Sequence, residues 1–319
     1  MQVAPDAGFS GWFFTGAEVQ ADVPEDAEVG DGVYVARNLG VEIQAHWKDW
    51  LGSILIDEIA HGGLLLYVTA RDASFEALQK RREDVLNGLL LQGIPEHLRA
   101  ISLTGAHVAG RLEIQQFSRS RELQAVFEAE EFRLTLAAFH RAVLIGKRLR
   151  EIQDAANGRG ARLIRTARVL LNANRTSNSH GERFHQLVRA LDGLVKTRQG
   201  TGCSDFAHRV QTFTVASQDT WATLTEMYDV RGAVEHLKDP ASALAVTLTD
   251  QDAKYERVNR LTRQADALAR CAVCRILESE PLYQSFMTEE SIDRFWALQN
   301  HERSAVWGRR VRLDIRKIQ

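Results

Sequence analysis

The feature that most constrains this chain is a change of pattern at Ser118–Glu122. Before it, short alternating runs are separated by Gly- and Asp-rich turns, the mark of strands in a sheet. After it, residues 121–156 contain no proline and only one glycine, Gly146, so the chain turns helical. At 319 residues it is also too long for one typical core. The expected fold class is α+β, with a β-rich α+β domain over 1–120 and an all-α bundle over 121–319.

In the first part the strand candidates are WFFTGAEVQADV, GVYVAR, VEIQAHW, LLLYVTA, HLRAISLTG and RLEIQQF. EDAEVGDG and TGAHVAG read as turns, and ASFEALQKRREDVLNGLLLQG as one amphipathic helix before Pro95. An antiparallel sheet follows from this pattern. In the second part Phe127, Leu134, Ala138 and Ile145 fall at helical spacing, with Gly146 marking a kink and Asn157–Gly160 ending the helix. Further helices are expected in ARLIRTARVLLNANR, ERFHQLVRALDGLVKT, DFAHRVQTFTV, WATLTEMYDVRGAVEHL, 251–279 and 288–300.

Charge divides along the same line. Residues 1–120 hold 9 Lys+Arg against 17 Asp+Glu, whereas 121–319 hold 31 against 25. Residues 147–189 alone carry ten basic and three acidic side chains, which points to an anionic partner for the second part. Three cysteines argue against a disulfide scaffold and for a reducing cytoplasm. Cys271 and Cys274 lie in ALARCAVCRIL, where buried helical thiols are expected rather than zinc or redox chemistry. The start has no secretory signature, and the apolar runs are too short for a membrane span.

Within YDVRGAVEHLKDP, Arg231 and His236 stand five positions apart. Trp221, Leu224 and Tyr228 would share one helix face, while Val230, Val234 and Leu237 would lie on nearly the opposite one. That phase jump predicts a bend near 229–232. On a straight helix the two motif residues are about 140° apart, so a bend or a second copy of the chain is needed to unite them. The plain alternative is a charged helix turn, with Arg231, Glu235 and Lys238 as surface pairs.

Arg189-Ala190-Leu191-Asp192-Gly193-Leu194, then FAHRV, then Tyr228-Asp229-Val230-Arg231 leading to His236, follow one another in an order that resembles the HEPN superfamily, particularly its Apea-like branch. The resemblance covers about 80 residues, from 161 to 240, and leaves out the first 120. It implies a metal-independent endoribonuclease that acts as a homodimer, needs no cofactor, and serves toxin or antiphage systems. It further implies that His236 is a general acid or base and that Arg231 stabilises charge on the phosphate. Gly232 stands where the family's ribonucleases usually have a polar residue, and Asp192 stands for a glutamate. The alternative is a non-catalytic HEPN-fold module for binding or dimerisation.

Arg162, Arg165, Arg168 and Arg175, with Arg183 and Arg189, are candidates to guide an RNA backbone. A solvated helix face is the competing reading. His180, His185 and His208 lack carboxylate or cysteine neighbours at ligand spacing, so no metal is expected. GRGAR has two glycines before a helix but no Walker lysine. Burial is expected for Trp47 and Trp50, and a structural role is open for Arg209. An antitoxin or regulator is a further partner to expect.

Overall fold

A computed structural model describes residues 3–15, 18–19, 23, 26–37, 44–61, 64–93, 99–109, 111–119, 133–155, 161–175, 179–198, 200–244, 250–308 and 312–318. The chain is α+β and divides into two compact units, Met1–Lys147 and Arg148–Gln319.

The first unit contains β1 (Gly8–Thr15), β2 (Glu18–Val19), β3 (Asp26–Gly30), β4 (Val33–Ala36), α1 (Ala45–His61), β5 (Leu64–Ala70), α2 (Phe75–Leu91), β6 (Arg99–Val108), β7 (Arg111–Arg119), β8 (Arg133–Leu134) and the start of α3 (Leu136–Ala155). Six strands pair antiparallel in the order β3-β4-β5-β1-β6-β7. Asp31 and Gly32, both at positive φ, make the two-residue turn between β3 and β4, because both centres of such a turn need left-handed backbone. The DAEVG half of the expected turn is therefore strand.

Side chains of β1 alternate between two cores. Trp12 and Phe14 join Leu78, Val85 and Leu89 of α2 and Phe139, Ala142 and Val143 of α3. Phe9 and Phe13 join Leu65, Tyr67 and Leu103, with Trp47 and Leu51 of α1 packed against them. Covered on both faces, β5 is buried from Leu64 to Val68, which is why LLLYV reads as an unbroken apolar run.

Five expectations are corrected by the structure. The AHW end of VEIQAHW opens α1 instead of ending a strand, while residues 41–43 lie outside the described residues. Trp47 donates from Nε1 to the Ile114 carbonyl at 2.9 Å, but Trp50 is 86 % exposed. Leu134 sits in β8, paired with β2, so the helix of the second part begins only at Leu136. Phe127 and Asn157–Gly160 fall outside the described residues. Nor does Gly146 kink α3: a Cβ there would stand 2.5 Å from the Asp84 carbonyl oxygen, so the glycine lets α3 approach α2. Because Phe139, Ala142 and Val143 belong to the sheet's core, the division between units falls inside α3 and not near residue 120.

The second unit is helical: α4 (Ala161–Arg175), α5 (His180–Val195), α6 (Gly202–Val210), α7 (Gln218–Glu235), α8 (Gln251–Glu278), α9 (Glu280–Phe286), α10 (Glu289–Ala297) and α11 (Asn300–Trp307). The core of α5 is the stripe expected from sequence, with Phe184, Leu187, Val188, Leu191, Leu194 and Val195 all buried. Serine side chains cap α5 and α7, Ser179 accepting from the Glu182 amide and Ser217 from the Thr220 amide. α4 packs along α5. A Cβ on Gly193 would stand 2.6 Å from Thr166 Oγ1, so the glycine sets how closely the two helices meet. Cys274 is buried and Cys271 half-buried in α8. No described helix is long and apolar enough to cross a membrane.

Candidate functional site

Arg231 sits in the last turn and a half of α7 with its side chain only 14 % exposed. Its Nη1 donates to Asp192 Oδ2 of α5 at 2.9 Å, and its Nη2 stands 3.6 Å from Glu235. The guanidinium lies over the Tyr228 ring, 4.4 Å from the centroid, and that ring packs on Phe206 of α6. Asp192 is held from its other side, where Oδ1 accepts from Thr197 Oγ1 at 2.8 Å. Two helices and a ring thus fix the orientation of one guanidinium. Its Nε is buried and has no hydrogen-bond partner among the described residues.

α7 is continuous, which corrects the bend expected at 229–232. It buries Thr220, Leu224, Met227, Val230 and Ala233 along one stripe at helical spacing, with Glu226 buried beside that stripe. The apparent phase jump comes from residues of other faces: Trp221, Tyr228 and Val234 are half-buried and Leu237 is 97 % exposed. Gly232 keeps ordinary helical geometry, and a Cβ there would meet nothing within 4 Å.

His236 is the C-cap of α7 and is exposed. The helix then closes through Leu237 at φ 56°, with the Leu237 amide donating to Val234 and the Lys238 amide to Ala233, each at 2.9 Å. Within one copy of the chain a straight helix holds Arg231 and His236 about 140° apart. The structure therefore does not bring the two motif residues together by bending.

What it does assemble beside Asp192 is a groove of about 570 Å³ between α4 and α5, with Arg162, Arg165, Arg189 and Lys196 among its walls. Glu289, the first residue of α10, faces three of these cations. It accepts from Arg162 Nε at 3.0 and 3.1 Å, and lies 3.3 Å from Lys196 Nζ and 3.8 Å from Arg165. Burial pushes the Glu289 carboxyl up, but the Arg162 and Lys196 contacts more than reverse this and leave it below the usual range. Asp293, 2.6 Å from Lys196 Nζ, is the main cause that raises the Lys196 ammonium.

The other arginines separate clearly. Arg168 is exposed on α4 outside the groove, and Arg175 ends α4 with its side chain outside the described residues. Arg183 is buried against Asp266 of α8, so it belongs to the core and not to a nucleic-acid surface. Arg209 donates to the Val195 and Lys196 carbonyls at 2.7 Å each, closing the C-terminus of α5. His180 and His208 are exposed, on α5 and α6, and His185 is half-buried with Nδ1 unpartnered among the described residues. The GRG of GRGAR lies outside the described residues.

Sequence reasoning missed Lys196 and Glu289. The run Arg189, Asp192, Gly193, Lys196 at helical spacing is the available signal for the α5 side; nothing local links residue 289 to α4. No family model, no curated protein and no solved structure matches the chain.

Proposed function

We propose that the helical part of this chain is an HEPN-like, metal-independent endoribonuclease that works as a homodimer, in a toxin or antiphage role. The observation that carries this reading is the Arg231–Asp192 clamp beside a cationic groove, with His236 open to solvent. Asp192 belongs to the Arg189–Leu194 segment and Arg231 to the motif, so two elements of the resemblance meet in space. In this reading a second copy completes the site: a straight α7 keeps Arg231 and His236 of one copy apart, so Arg231 of one copy works with His236 of the other.

In this scheme the RNA 2′-oxygen attacks the adjacent phosphorus while an imidazole takes its proton. The P–O5′ bond breaks, and the departing oxygen takes up a proton, leaving a cyclic phosphate and a 5′-hydroxyl. Arg231 faces the non-bridging oxygens, where a guanidinium fork pairs with two acceptors at once. Arg162 and Arg165, with Arg168 and Arg175 along the same helix, guide the backbone. The acidic first unit regulates cleavage or senses the trigger, and an antitoxin is a further partner.

The test is purified protein with end-labelled RNA in excess EDTA, beside Arg231→Ala and His236→Ala. Cleavage that both substitutions reduce by about 10²-fold or more supports the reading. Cleavage that neither substitution touches refutes it.

A second reading is a non-catalytic binding or dimerisation module. Arg231 already faces two carboxylates, and Gly232 carries no polar side chain. Absence of cleavage on several RNAs, with dimerisation retained, favours that reading.

A further inference from the structure

We propose that the groove between α4 and α5 is a phosphate-binding site whose cations are held ready by Glu289, which a phosphodiester of single-stranded RNA displaces. This rests on the RNA reading above but not on cleavage.

Arg162, Arg165 and Lys196 converge on the single carboxylate of Glu289. Like charges brought this close need an anion between them, and the two-oxygen face of a carboxylate offers a guanidinium the same pattern as a phosphodiester. Arg162 Nε lies within hydrogen-bond distance of both Glu289 oxygens, at 3.0 and 3.1 Å. Arg189, exposed on α5 and lining the same groove, has no carboxylate within ion-pair distance among the described residues. The carboxylate in the groove wall, Asp192, is already matched by Arg231. The volume of about 570 Å³ suits a nucleotide-sized group.

Glu289 can yield its place without unfolding anything. Its side chain is 43 % exposed, so a rotamer change carries it to solvent. The backbone stays, because Thr288 and Ser291 form a reciprocal capping box at the start of α10. Lys196 keeps Asp293 as a partner throughout. The site is thus regulated by its own carboxylate: weak anions fail to displace Glu289, and a polyanion that bridges several cations succeeds.

The probe is a fluorescent single-stranded oligoribonucleotide with 2′-O-methyl groups, which carries phosphates but no nucleophilic hydroxyl. Binding by anisotropy is therefore independent of cleavage. Glu289→Gln should tighten binding about 3- to 10-fold, and Arg165→Ala/Arg189→Ala should weaken it at least about tenfold. The double variant should also flatten the log K against log salt slope by about 1.4, at ~0.7 for each single-strand phosphate that the protein no longer neutralises. Unchanged or weaker binding by a folded Glu289→Gln protein overturns the displacement. Should that variant fail to fold, Arg189→Glu at its exposed position decides instead, and wild-type affinity there overturns the site. Groove-dependent binding without cleavage of ordinary RNA keeps this proposal and removes the ribonuclease reading. Cleavage indifferent to groove substitutions does the reverse.

Discussion

Arg231 on α7 donates from Nη1 to Oδ2 of Asp192 on α5 at 2.9 Å, across 39 positions of sequence. The bond joins the two segments that the sequence singles out and fixes a mostly buried guanidinium. Asp192→Ala leaves that charge, among the described residues, with Glu235 at 3.6 Å as its anionic neighbour, and should cost about 1–3 kcal/mol in urea unfolding. A double-mutant cycle with Arg231→Ala should return a coupling of about 0.5–3 kcal/mol. Strict additivity would mean the bond contributes nothing to holding α7 on α5.

His236→Ala should change stability by less than about 0.5 kcal/mol, because the ring is exposed at a helix end. The same urea titration measures it. A larger loss would give the imidazole a structural role, and reduced cleavage in that variant would no longer report on chemistry.

Gly232→Ala should stabilise the protein by about 0.5–1 kcal/mol, since the backbone is helical and an added Cβ meets nothing within 4 Å. Thermal denaturation at two protein concentrations checks this. Destabilisation that grows with concentration would reveal a second copy lying against this face of α7.

Asp205 accepts from the Arg198 amide, from Arg198 Nε and Nη2, and from Thr201 Oγ1. The Arg198 hydrogen bonds chiefly hold its carboxyl far below the ordinary range, against the opposing effect of burial. A depressed folded pKa gives stability that is fully present above the unfolded value of about 3.9 and fades as pH falls below it. Asp205→Asn should therefore lower stability at pH 7 and flatten the acid limb below about pH 4. Parallel acid limbs for the two proteins would contradict the assignment.

Much of the helical unit is legible in the sequence because its signal is local. The buried stripe of α5 follows directly from apolar spacing, and α8 and α10 fall on the helical patterns at 251–279 and 288–300. α7 is misleading because Trp221, Tyr228 and Leu237 are apolar yet are not the residues it buries. α1 is hidden because its first residues, Ala45–Trp47, continue the alternating run VEIQAHW, and because Trp50, expected to be buried, is exposed.

The sequence by itself determined the α+β order, the buried face of α5 and the basic character of 147–189. Periodicity and composition are properties of neighbouring residues, so they survive without knowledge of the fold. Only the tertiary structure decided the fate of each arginine: Arg183 is buried on Asp266, Arg209 caps α5, Arg231 is clamped by Asp192, and Arg162 meets Glu289 across 127 positions. All four are the same residue type in similar helical contexts. Which carboxylate, carbonyl or ring each one meets depends on contacts between segments far apart in the chain, and local sequence carries no record of them.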